Sequence, residues 1–132
     1  MNIEAFLLCD AATDQQGKLN ILGAFDSLFV PQVPTVHPAC AVAVRIRFEK
    51  IEEGDHKIRL RIIDEDGNSI GPKPEANITV RPYPGLDSYA VNLVLNIQGL
   101  EFKKYGEYRI DLAIDGQIKG SLPLTVREVP AT

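Results

Sequence analysis

The sequence is poorest in the residues that carry most metal, redox and thiol chemistry. Its 132 residues include two cysteines, two histidines, one methionine and no tryptophan. Cys9, Cys40, His37 and His56 show none of the tight spacings of a zinc site. In a reducing compartment, two such cysteines are expected to be small buried apolar residues rather than a disulfide. We therefore predict no metal centre of this kind and no cofactor.

Catalytic motifs are also missing. No serine lies in a nucleophile-elbow pattern, and the chain has neither a G-x-G-x-x-G segment nor a phosphate loop. The adjacent Glu52 and Glu53 would point in opposite directions along a strand, so they cannot act together on one substrate. The sequence therefore predicts a protein that is not an enzyme.

Long apolar runs and an excess of basic residues are absent as well. The apolar run from Ala5 to Cys9 is much shorter than the core of a signal peptide, and no run reaches the length of a membrane span. The net charge of -4 and the pI near 5.1 oppose nucleic-acid binding. We expect a cytoplasmic protein that binds neither nucleic acid nor membrane.

The chain is rich in apolar residues that alternate with polar ones, which is the period of half-buried β-strands. Turn sequences such as Glu53-Gly54, Asp66-Gly67 and Asp115-Gly116 separate the runs. This pattern predicts one all-β domain over residues 1–132, an antiparallel two-sheet β-sandwich. Tyr108 lies near the start of the strand expected at 107–114, and a tyrosine in that position favours an immunoglobulin-like β-sandwich. The eight to nine strands are expected at about 2–9, 18–24, 27–30, 40–51, 56–64, 76–81, 88–98, 107–114 and 117–127.

Glycine and proline mark three special places in this scheme. Gly23 interrupts the alternation of its strand, so we predict a structural corner at residues 23–26, where Asp26 caps the bend. Three prolines make residues 31–39 an extended crossover between the two sheets. Pro123 cannot donate a ladder hydrogen bond, which predicts an edge position for its strand.

Four arginines are the most prominent surface feature. If the chain turns as a hairpin at Glu53, the parity of the apolar residues places Arg47 opposite Arg59 on the outer face. Like charges in such positions repel each other. Either a neighbouring strand supplies acids, for which Glu107 and Asp111 have the right spacing, or the face binds an anionic ligand or an acidic partner. The residues of this predicted binding face are Arg45, Arg47, Arg59 and Arg61.

The loop Asp64–Asn68 has the composition of part of a calcium loop, but its glycine is not where an EF-hand needs it. A hairpin turn explains the same residues without a metal. A site assembled from several loops would use Asp26, Asp64 and Asp66, and this stays open as a second hypothesis.

Several short segments together resemble a family of small uncharacterised bacterial and phage-associated proteins. They are Leu7–Asp10, Gly17–Asp26, the Val-Pro-x-x-Pro crossover, the Asp-Gly hairpin at 64–67, Asn92–Asn96 and Gly106–Tyr108. The resemblance covers nearly the whole chain. It implies a cytoplasmic single-domain β-sandwich and assigns no activity and no catalytic residues.

Two functions therefore remain from the sequence. The first is a non-enzymatic binding or assembly module of the bacterial cytoplasm, which contacts a protein, or a second copy of itself, through an edge strand or the arginine-bearing face. The alternative is a β-sandwich that binds a small ligand or carbohydrate, with or without a calcium ion held by its loops.

Overall fold

A computed structural model describes residues 1–130, and β-strands make up most of them. Between the fourth and fifth strands the chain forms one 3₁₀ turn, Lys50–Glu52. None of the described residues forms a helix that is long and apolar enough to cross a bilayer. The ten strands are β1 (Asn2–Gln15), β2 (Lys18–Ala24), β3 (Ser27–Val30), β4 (Thr35–Glu49), β5 (Gly54–Ile63), β6 (Ser69–Ile70), β7 (Glu75–Val80), β8 (Ser88–Phe102), β9 (Gly106–Ile114) and β10 (Gln117–Glu128).

The strands form two packed sheets, as predicted. Sheet A has the order β2-β1-β4-β8, and sheet B has the order β3-β10-β9-β5-β6, with β7 also paired to β5. All pairs are antiparallel except β3 with β10, which is parallel. The strands number ten rather than eight or nine because the chain after Gly67 returns to pair two residues, Ser69 and Ile70, with the end of β5.

The core lies between the sheets and follows the predicted alternation. The even-numbered apolar residues of β4 from Cys40 onward are almost fully buried, as are those of β5 and β9. Phe48 and Phe102 are the largest fully buried side chains. Each inward row is apolar because burying such a side chain contributes about 1.5–3 kcal/mol relative to leaving it in water.

The prediction that β4 and β5 form a hairpin is wrong. β4 pairs with β1 and β8 in sheet A, whereas β5 pairs with β9, β7 and β6 in sheet B. The 3₁₀ turn Lys50–Glu52 carries the chain from one sheet to the other, so the two inward rows face each other across the core. A hairpin and a crossing between the sheets would both bury the even-numbered residues of β4 and β5. The alternation of apolar residues therefore cannot distinguish the two arrangements. Arg47 and Arg59 are therefore not paired, and the four arginines do not share a face.

The outer face of sheet A is covered by the chain's own first hairpin. β1 pairs with β4 over residues 2–9 and then with β2 over residues 9–15. Beyond Cys9 the hairpin lies on the outer face, where Cys9, Ala41 and Ala43 form a small second core. At its tip, Asp14 and Gly17 accept hydrogen bonds from the amide of Asn92 on β8, at 3.3 and 3.1 Å. The small alanine side chains leave room for this layer.

Three local predictions can be compared with the fold. The crossover between the sheets occupies residues 31–34, because β4 begins at Thr35 rather than after the last proline. The edge position of Pro123 holds for part of its strand: within residues 1–130, β3 pairs only with Thr125–Glu128 of β10, so residues 117–124 are paired on one side. The Tyr108 hydroxyl donates to the carbonyl of Lys104 at 2.7 Å, four residues upstream.

The predicted corner at Gly23 is present. β2 in sheet A ends at Ala24 and β3 in sheet B begins at Ser27. Gly23 has a φ of +68°, in the left-handed region that favours glycine, and a Cβ there would overlap the carboxylate of Asp10. Gly17, at the hairpin turn, has a similar φ of +78° but open space around it.

These two glycines separate backbone strain from steric overlap. We expect Gly17→Ala to cost about 1–2 kcal/mol, the penalty of a left-handed non-glycine residue. Gly23→Ala should cost clearly more, because Asp10 must also move. Urea unfolding measures both free energies, and Asp10→Ala in the Gly23→Ala background should recover part of the loss. Equal losses at the two glycines would show that the corner tolerates a side chain.

His56 holds the crossing between the sheets. Its Nε2 lies 2.6 Å from the carbonyl oxygen of Glu52, its Nδ1 lies 2.7 Å from Oδ2 of Asp115, and its ring stacks on Phe48 at 4.8 Å. Both ring nitrogens face acceptors, so the protonated ring satisfies both contacts. The hydrogen bond to Glu52 and then the contact with Asp115 raise the pKa of His56 above its ordinary value of 6.5.

A raised pKa in the folded state makes this contribution depend on pH. The stabilisation is fully present below pH 6.5 and is lost as the pH rises through the folded-state pKa. We expect His56→Gln to flatten the fall in unfolding free energy between weakly acidic and weakly basic pH, and Asp115→Asn to reduce it partly. Urea titrations across that range test this. An unchanged slope in His56→Gln would exclude His56 as its source.

Candidate functional site

The two arginines of sheet A are engaged within the protein. Arg45 and Arg47 contact opposite oxygens of the Glu4 carboxylate through their Nε atoms, at 2.8 and 2.7 Å. Their other nitrogens donate to Asn92 and Ser88 on β8. The hydrogen bonds from Arg47 and Arg45 lower the pKa of Glu4. These side chains form a polar ladder across three strands, and both guanidinium groups have partners within the chain.

The two arginines of sheet B lie in a different environment. Arg59 contacts Glu75 on β7 at 2.8 Å, and Lys57 shares that carboxylate at 3.6 Å. Arg61 lies opposite Asp111 of β9, which is one of the two acids that the sequence offered as neighbours of the arginines. Within residues 1–130, Arg61 is exposed and forms no salt bridge.

A concave pocket with a volume of about 450 Å³ opens on this outer face of sheet B. Four cationic side chains surround it, with two carboxylates, Glu75 and Asp111, to balance them. The groove therefore has an excess of positive charge in a chain whose net charge is -4. Ile118, which is 66% exposed, adds an apolar wall. We call this surface the sheet-B groove, and its cations are Lys57, Arg59, Arg61 and Arg109.

Asp111 is the buried anchor of the groove. It is 4% exposed although it points away from the core. Its carboxylate accepts a hydrogen bond from the Ser121 hydroxyl at 2.6 Å and contacts Arg109 Nε at 3.2 Å. The row therefore runs across three strands, from Arg61 on β5 to Asp111 on β9 and Ser121 on β10. A buried carboxylate needs such partners because its desolvation is costly.

The three aspartates of the hypothetical loop site do not converge. Asp64 Oδ1 accepts the backbone N–H groups of Asp66 and Asn68, at 3.0 and 2.9 Å, and so closes its own turn. Asp66 binds Lys104 at 2.8 Å, which lowers the pKa of Asp66. Asp26 accepts from Ser27 at the corner, beside an apolar cleft of about 350 Å³. Within residues 1–130, no three His, Cys, Asp or Glu side chains are placed to hold a metal ion.

The sheet-B groove was only partly visible in the sequence. Arg59 and Arg61 were predicted, and Asp111 was expected as a neighbouring acid. Lys57 and Arg109 take outward positions in the alternation of their strands, but they become part of one site only because β9 lies beside β5. Glu107, the other expected acid, lies beyond the end of β5, where its backbone N–H donates to Glu65 Oε1 at 2.6 Å.

The fold and this surface define an all-β sandwich module with a charged outer groove. The chain belongs to a family of unknown function (DUF6941), whose model matches residues 4–127. No curated protein matches the sequence.

Among solved structures, the chain is similar to part of a β-glucuronidase from glycoside hydrolase family 2, with 15% identity and a TM-score of 0.37. It is also similar to part of DesR, a β-glucosidase from Streptomyces venezuelae in complex with D-glucose, with 12% identity and a TM-score of 0.44. The alignments cover 70% and 80% of this chain but only 11% and 15% of those enzymes. Similarity at this level has no bearing on activity.

Asp111 allows a direct test of how the groove is held together. We expect Asp111→Ala to lower the free energy of unfolding by about 0.5–1.5 kcal/mol, because the variant loses the hydrogen bonds that the Asp111 carboxylate accepts from Ser121 and Arg109. Asp111→Asn should cost less, since an amide oxygen still accepts from Ser121. Glu107→Ala, an exposed residue of the same strand, is the control and should change stability by less than about 0.5 kcal/mol. Equal effects at residues 107 and 111 would contradict the anchoring role.

Proposed function

We propose that this protein is a non-enzymatic binding module and that the sheet-B groove is the surface that contacts its partner. The observation that carries the proposal is the contrast between the two sheets. On sheet A both arginines are bridged by Glu4 and donate to β8, and the first hairpin covers part of the face. On sheet B, Arg61 stands in an open concave surface with an excess of positive charge.

The partner that fits this groove is an acidic segment of another protein. Arginine guanidinium groups bind carboxylates with two parallel hydrogen bonds, and arginine is enriched in protein interfaces. The apolar wall at Ile118 suits the side chains that alternate with acids in an extended segment. The excess of positive charge would also attract such a segment from a distance, and salt would weaken that attraction.

The strand pairings support an immunoglobulin-like version of the sandwich as part of this proposal. The order β1-β4-β8 corresponds to the A-B-E order of an immunoglobulin sheet, and β5-β9-β10 corresponds to C-F-G. Tyr108 then lies near the start of the strand that corresponds to F, where the tyrosine corner is found. In such domains the sheet faces and the end loops are the usual contact surfaces.

We also place the module in the bacterial cytoplasm, as the sequence predicts. Cys9 and Cys40 are free and buried, which suits a reducing compartment. Burial raises the pKa of the Cys40 thiol to about 11. That thiol therefore stays protonated and unreactive at neutral pH.

The test uses a labelled peptide of alternating glutamate and alanine as the probe. We expect the protein to bind it at low salt, and Arg59→Gln with Arg61→Gln to weaken binding at least about tenfold, or about 1.4 kcal/mol. This variant leaves the contact between Arg109 and Asp111 intact. The matched control is Lys18→Gln with Lys103→Gln, two exposed lysines away from the groove.

Fluorescence anisotropy measures both affinities, and a lysine–alanine peptide reports unspecific binding. The control variant should bind within about twofold of the wild type. No binding of the glutamate peptide, or an equal loss in both variants, would rule out the groove as an acid-binding surface.

A further inference from the structure

β8 is the longest free strand edge of the described structure. It forms one end of sheet A, with β4 as its only neighbour within residues 1–130. Within residues 1–130, no backbone–backbone hydrogen bond from outside the sheet reaches residues 88–102, and the tip of the first hairpin contacts this strand through the side chain of Asn92. At about 3.4 Å per residue, the regular stretch 88–98 presents an edge roughly 37 Å long.

The sequence of residues 88–98 carries none of the usual protections against strand pairing. Natural edge strands are usually short or carry charges, prolines or bulges. Residues 88–98, SYAVNLVLNIQ, contain no charged residue and no proline. They are rich in the β-branched and aromatic residues that favour strands.

The other edges of the two sheets are protected. β3 and β6 are only four and two residues long. β7 has six residues between Pro74 and Pro82. The open part of β10 contains Pro123 and a bulge between Ile118 and Gly120. β2, at the other end of sheet A, is seven residues long, begins with Lys18 and bends at Gly23. The unprotected state of β8 is therefore an exception within this fold.

The inward side chains near the start of β8 are incompletely covered. Tyr89, Val91 and Leu93 pack against the core but remain only partly buried. Corresponding residues of β4, such as Val44 and Ile46, are fully buried. A strand added beside β8 would cover this apolar margin.

We infer that the edge of β8 pairs with the same edge of a second copy of the chain, in antiparallel orientation around a two-fold axis. Self-pairing needs a surface that is complementary to itself. An edge without charges meets this condition, because two copies of a chain with net charge -4 meet there without like charges opposed. Residues 88–98 themselves offer no charge for an acidic or basic partner to recognise.

An axis at Leu93 uses the whole regular stretch. It places Tyr89 opposite Ile97 and Val91 opposite Leu95 on the core side. On the outer side it places Ala90 opposite Asn96. The two four-stranded sheets would then form one continuous eight-stranded sheet. This surface is separate from the sheet-B groove, so the inference does not depend on the proposed function.

The experiment introduces charges that oppose each other across the axis. Sedimentation velocity over a range of concentrations should show a dimer of twice 14.5 kDa for the wild type. Ala90→Glu with Asn96→Glu places like charges directly opposite, so we expect the dissociation constant of the dimer to rise at least about tenfold. The control, Asn20→Glu with Leu22→Glu on β2, adds the same charge at the other end of sheet A and should leave the dimer intact.

A charge swap keeps the test valid if the first variant is destabilised. Ala90→Lys with Asn96→Lys should also be monomeric, and mixing it with the glutamate variant should restore a dimer that contains one copy of each. Unfolding alone would not be rescued by mixing. A wild type that stays monomeric, a glutamate variant that still dimerises, a mixture without heterodimer, or open-ended polymers would each overturn the inference.

Discussion

β4 and β5 face each other across the core, and the other features of the structure depend on this arrangement. Both strands carry an uninterrupted inward row of apolar residues, and neither row can be left in water. The chain therefore crosses from sheet A to sheet B at Lys50–Glu52, where the Glu49 N–H donates to Glu52 Oε1 at 2.8 Å. His56 then ties this crossing to the β9–β10 turn through Asp115.

The same crossing gives two similar arginine pairs opposite roles. Arg45 and Arg47 project from one side of the sandwich, and Arg59 and Arg61 project from the other. On sheet A, one carboxylate bridges both arginines, and close charge-assisted contacts of this kind hold strands together. On sheet B, the next strand contributes a buried Asp111 but also a further cation, Arg109. The neighbouring strands, rather than the arginines themselves, decide which pair is available to a partner.

This explains how much the sequence could predict. Period-two alternation identifies which residues share a face, so the strands and the two-sheet core follow from it. Alternation does not say which strands are neighbours, because a hairpin and a crossing between sheets bury the same even-numbered residues. The pairing of β5 with β9, which assembles the groove, joins residues about fifty positions apart and leaves no local signal. Ala41 and Ala43 did carry a signal, since small residues on an outer face indicate that another layer covers them.

The proposed two-fold pairing of β8 would determine how the two sheet-B grooves are oriented in the dimer. Antiparallel pairing of two identical edges requires a two-fold axis perpendicular to the sheet, so both copies keep their inner face on the same side of the joined sheet. The two sheet-B layers, and with them both grooves, then face the same direction. Two weak sites held in this way bind a partner with repeated acidic segments far more tightly than one site does, because the second contact forms at a high effective concentration. In the proposed dimer, a modest cationic groove would therefore be sufficient, because each assembly would display it twice.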